Sequence, residues 1–121
     1  MSKFVDAGQN LPIQISIHDL IFLKENLTKA ENARRHGQTT LVYEAYNDLA
    51  AYYRNMKDEK TGIYFFEKCL EISQVTSDKR GEMDANHNLG KVHESLNQLG
   101  EAASYHERHG EIAETMDITG D

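Results

Sequence analysis

The chain has 121 residues, with 13 Lys and Arg against 20 Asp and Glu and a formal charge of −7. That length suits one small domain, and the acidic balance argues against a nucleic-acid or anionic-membrane surface, where a basic patch would be expected. The longest strongly apolar run, Leu20 to Leu23, falls far short of the ~20 residues of a membrane span.

Pro12 is the single proline, and beyond it nothing forbids long helices. Residues 1–15, which include Gly8, Asn10 and Pro12, read as an irregular lead-in without a secretory-type apolar stretch. Ser16-Ile17-His18-Asp19 has the spacing of a capping box. Leu20, Leu23, Leu27 and Ala30 follow at steps of three and four, on one helix face. This predicts a capping helix over 16–37, with Gly37 closing it in a left-handed conformation. Thr39 or Thr40 caps a second helix with the stripe Leu41, Ala45, Leu49, Tyr52 or Tyr53, and Met56. Asp58 starts a third, which carries Ile63, Phe66, Cys69, Leu70 and Ile72. Ser77 and Asp78 are cap candidates for a fourth, from about Lys79 to Asn97. A last helix runs from about Gly100 to Met116, and residues 117–121 read as a fraying tail. No segment alternates with period two, so the expected fold class is all-α.

The second half of the chain lies over the first at a shift of forty residues. Leu49-Ala50 falls on Leu89-Gly90, Tyr53 on His93, Gly62 on Ala102, Phe66 on His106 and Cys69 on His109. A repeat of this kind predicts two helical hairpins, 38–77 and 78–116, neither able to bury its apolar face without the next. In Leu89-Gly90, His93 and Ala102, and in Leu49-Ala50, Tyr53, Gly62 and Phe66, the chain resembles the tetratricopeptide repeat family. The period exceeds the usual thirty-four residues and is similar to that of the long-repeat subgroup. The runs Leu27 to Ala33, Leu49 to Tyr53 and Phe65 to Cys69 resemble, in order, a repeat protein of cilia and sperm flagella. The resemblance implies a right-handed superhelix of antiparallel hairpins. It also implies a non-catalytic scaffold that binds protein partners, either in the axoneme or as a cytoplasmic adaptor of another pathway.

Little in the sequence suggests chemistry. One cysteine, Cys69, cannot pair within the chain, which fits a reducing, cytoplasmic compartment; on the apolar face of its helix it reads as a packing thiol. The serines lie on or beside helices without a strand-turn-helix elbow, and the glycines are too widely spaced for a phosphate loop. No catalytic residue, cofactor or metal site is therefore expected. His93, His106 and His109 are the one set that suggests a metal if the three imidazoles meet between adjacent helices. Their repeat positions favour packing instead, where protonation would put charge into the hairpin interface. Seven aromatics cluster between Tyr43 and Phe66, too many for one face, so two or three should face solvent or a neighbour.

By the family's groove pattern, a concave surface is lined by the first helix of each hairpin. Asn47, Asp48 and Arg54, with Glu44 and Ala51, would line it from one hairpin. His87, Asn88, Lys91 and Glu94, with Asp84, would come from the next. Asn side chains can both donate to and accept from the backbone of an extended peptide.

Overall fold

A computed structural model of the chain describes residues 16–119, with side chains to Met116. The irregular lead-in read at 1–15 lies outside the described residues. Five helices follow one another: α1 Ile17–Arg35, α2 Thr39–Asn55, α3 Glu59–Val75, α4 Lys79–Ser95 and α5 Leu99–Thr119. Helix starts at Thr39, Glu59, Lys79 and Leu99 step by 20 residues. The forty-residue repeat is thus two helix-plus-turn units of equal length.

Every turn closes in the same way. A residue in the left-handed region stands at Gly37, Lys57, Ser77 and Asn97, with φ of 69°, 67°, 58° and 60°. The N–H of the following residue donates back five positions: Gln38 to Ala33 at 2.8 Å, Asp58 to Tyr53 at 2.9 Å, Asp78 to Ser73 at 2.8 Å and Gln98 to His93 at 2.8 Å. This is the Schellman closure, which satisfies carbonyls that a helix end leaves free. Glycine adopts the conformation without penalty, whereas Lys57 and Ser77 carry a Cβ there at about 1–2 kcal/mol each.

The turns also correct the caps expected from sequence. Ser16 does accept from Asp19 N at 3.0 Å, and Asp58 accepts from the N–H of Thr61. Helix α2, however, starts behind Gln38 without a side-chain cap, and Thr39 is already its first residue. The closure after Gly37 sets that start, with Leu41 and Val42 both donating to the Gln38 carbonyl. Ser77 is the left-handed residue and not a cap; Asp78 alone caps α4, accepting from Gly81 N at 3.0 Å. At the far end, α5 continues through Thr119, past the Met116 limit read from sequence.

Each helix packs against its neighbours in sequence. The core comprises Leu49, Ala50, Phe65, Phe66, Leu89 and Val92, and each large apolar side chain removed from water there contributes roughly 1.5–3 kcal/mol. Small residues bring the paired helices together: a Cβ on Gly62 would lie 3.3 Å from the Ala50 carbonyl oxygen, and one on Gly90 only 2.5 Å from His106 Cε1. On α1 the inward face is Phe22, Leu23, Ala30 and Ala33, while Leu20 and Leu27 of the expected stripe are exposed. Of the seven clustered aromatics only Tyr64 is exposed. Tyr46 and Tyr53 stack on Phe65 at 5.8 and 6.0 Å between ring centroids, which absorbs more of the cluster than one helix face could.

Candidate partner-binding groove

Helices α2 and α4 occupy the same place in successive repeats, and their N-terminal ends are tied directly. The Tyr43 hydroxyl donates to the Gly81 carbonyl at 2.8 Å. Burial, reinforced by Cys69, Asp84 and Asp78, holds that phenol protonated well above its ordinary range. An open cleft of about 480 Å³ lies beside this bond, lined among others by Tyr43, Glu44, Ile72, Asp78 and Asp84.

The residues expected in the groove fall in register. Asn47 and His87, Asp48 and Asn88, Ala51 and Lys91, and Arg54 and Glu94 are each forty residues apart. Within each helix, steps of one, four and seven residues keep them on one side. Asp48, His87, Lys91 and Glu94 are exposed, and Asn47, Arg54 and Asn88 are half-buried. Two of them are engaged with α5: the His87 ring lies 5.1 Å from that of His109, and Glu94 Oε2 is 3.1 Å from His106 Nε2. The face is mixed in sign, which disfavours a cationic clamp for a carboxylate terminus.

His93, His106 and His109 do not meet at one point. His93 stacks on Tyr105 at 5.3 Å and 15°, and its Nδ1 lies 2.6 Å from Gln98 Oε1. The antiparallel register of α4 and α5 sets His106 over Gly90 and His109 against His87. That register leaves His93 a turn further along. The cluster that forms is His87, His106 and His109. Among the described residues no three His, Cys, Asp or Glu side chains are gathered so as to hold a metal ion. Cys69 is fully buried, and its thiol donates to the Tyr43 carbonyl at 3.6 Å. Burial, and then Asp48, push that thiol up to about 12. It is a packing group, protonated at neutral pH.

Sequence reading missed a buried acid. Glu82, 3 % exposed, sits where the first repeat has Val42. Burial is the largest single influence and pushes its carboxyl up, yet Arg108 and Lys79 outweigh it and hold the group below its usual range. Arg108 Nη2 lies 3.2 Å and Lys79 Nζ 3.5 Å from its oxygens. The available signal was a charge in a register position that is apolar in the preceding repeat.

Stacked hairpins whose helices start every twenty residues, joined by turns of one kind, define a helical-repeat protein of the protein-interaction scaffold class. Residues 41–115 match the tetratricopeptide repeat family, and the chain belongs to it. It is 33 % identical over 90 residues to tetratricopeptide repeat protein 29 of Rattus norvegicus, covering 73 % of this chain and 19 % of that protein. It is 30 % identical over 105 residues to the protein of that name in Homo sapiens, covering 85 % and 22 %. A Trypanosoma brucei brucei protein of the same name matches at 32 % over 59 residues, covering 49 % and 12 %. The chain therefore spans about a fifth of the length of the mammalian relatives it matches. No helix among the described residues is long and apolar enough to cross a membrane.

Proposed function

We propose that the chain captures an extended segment of a partner protein along α2 and α4. Asn47, Asp48, Arg54, His87, Asn88, Lys91 and Glu94 form the contact face. The observation that carries this reading is the forty-residue register, which repeats polar side chains turn for turn on two first helices already joined through Tyr43 and Gly81. Asn47, Asp48, Asn88 and Lys91 lie outside the core and are available to the polar backbone of a ligand, while His87 and Glu94 also meet α5 and the Arg54 stem lies beside Gly62. On α1, Glu25, Lys29 and Asn32 stand at the register positions of Phe65, Cys69 and Ile72 on α3, a polar face where α3 presents a packing one.

The place of action we propose is the ciliary or flagellar axoneme, supported by the sequence likeness to a repeat protein of those organelles. Localisation of the tagged chain in ciliated cells tests it; a diffuse cytoplasmic signal would favour an adaptor of another pathway. The groove is tested by Arg54→Glu, Asn88→Ala and Lys91→Glu combined. Partner capture from ciliated-cell extract should fall while the melting temperature stays nearly unchanged. Capture that survives this change and is lost with Tyr64→Ala would move binding to the opposite, second-helix surface.

A further inference from the structure

The second hairpin carries four imidazoles where the first carries none, and three of them, His87, His106 and His109, occupy the register positions of Asn47, Phe66 and Cys69. In the first hairpin Phe66 and Cys69 are buried apolar groups. In the second, the His87 ring lies 5.1 Å from His109 and 6.1 Å from His106, centroid to centroid. His106 also fills the space over Gly90, which has no side chain to compete with it. The seating of α5 on α4 at this point is therefore made by imidazole rings. Neutral rings pack at such distances, whereas charged ones repel.

We propose that His87, His106 and His109 form a proton-sensitive joint that seats α5 on α4 near neutral pH and loosens on mild acidification. The groups acting on His87 are His109 and His106 from α5, with Lys91 and Asp84 from its own helix; α3, the other helix packed on α4, supplies none of them. Desolvation first, then the charges of His109, Lys91 and His106, hold the His87 imidazole below its ordinary range, and Asp84 pulls the other way. Glu94 faces His106 and offsets one positive charge. Arg108 of α5 is already engaged by Glu82 and Glu111. With all three rings protonated, they and Lys91 outnumber Asp84 and Glu94. The sign follows: a histidine whose folded pKa lies below its unfolded value binds more protons unfolded, so stability drops as pH falls through that window.

The test is a titration of the histidine ring C–H signals in the full chain by NMR, paired with amide hydrogen exchange at pH 7.5 and 5.5 corrected for intrinsic rates. His87 should titrate below the midpoint that it shows in denaturant. In His106→Gln/His109→Gln it should rise by about half a pH unit, and His109→Gln alone, which leaves the Gly90 contact in place, should move it the same way by less. On acidification α5 should lose roughly tenfold more protection than α3, and the double variant should lose less. A His87 midpoint at or above the denatured value overturns the joint. So does parallel loss of protection in α3 and α5 in both proteins.

Discussion

Gly90 offers the sharpest test of how the second hairpin is packed. A Cβ there would lie 2.5 Å from His106 Cε1, 2.7 Å from Nδ1 and 2.8 Å from Nε2, so a side chain meets the whole ring rather than one edge. Gly90→Leu must expel the imidazole and break its contact with Glu94. Overpacking of this kind costs about 1–3 kcal/mol. Leaving glycine behind in a helix interior returns about 1 kcal/mol, and a net loss of up to about 2 kcal/mol results. For a chain of this size that lowers the melting point by up to roughly 8 °C. In a His106→Ala background the leucine enters vacated space, and the same substitution should become neutral or stabilising. Gly110→Ala is the control: nothing stands within 4 Å of a Cβ there, so only the propensity gain of about 1 kcal/mol remains. Urea melts of the single and double variants measure the coupling. The reasoning is refuted if Gly90→Leu melts at or above the parent, or if its penalty is unchanged without His106.

Replacing the strained turn residues, Lys57→Gly and Ser77→Gly, should each stabilise by about 0.5–1 kcal/mol, the relief of a left-handed Cβ less glycine's entropic cost; a lowered urea midpoint would contradict the turn geometry. Asp78→Ala should lose about 1 kcal/mol with the cap of α4, whereas Ser77→Ala, which removes no cap, should lose far less. Arg108→Ala removes the guanidinium from the buried Glu82 carboxylate and should destabilise by about 1–2 kcal/mol at pH 7, less than a fully buried pair would lose because Arg108 is about half exposed. Since Glu82 is held below its usual range when folded, its contribution is present above the unfolded pKa and disappears as pH falls through the folded one. The gap between parent and variant should therefore narrow below about pH 4, and a gap that widens in acid would be inconsistent with the ion pair.

The helices were legible because the punctuation is local. Gly37, Asp58 and Asp78 each mark a turn by their own chemistry, and the forty-residue repeat tied the turns together. Ser77 misled because a serine before an aspartate offers two plausible caps, and only the backbone closure from Asp78 N to the Ser73 carbonyl decides which residue takes the left-handed place. What stayed hidden depends on how one helix registers against another. His93 and His87 are equally plausible partners for the α5 histidines until the Gly90–His106 approach sets the register. Leu20 and Leu27 share a face with Leu23 on a helical wheel, but α2 covers only part of that arc. The register position of Glu82 opposite Val42 hinted at a buried acid, but its partner Arg108, 26 residues away on the next helix, could not be read from the sequence.

The claim that partners lie along α2 and α4 is tested most directly by a photo-reactive residue placed in the chain inside living ciliated cells. One version carries it at Asn88, half-buried on α4, and the other at Tyr64, exposed on α3. Expected is a discrete protein adduct from position 88 that is lost when Arg54 and Lys91 are reversed in charge, with no such adduct from position 64. Adducts from position 64 alone, or adducts from position 88 that persist after the charge reversal, would contradict the groove.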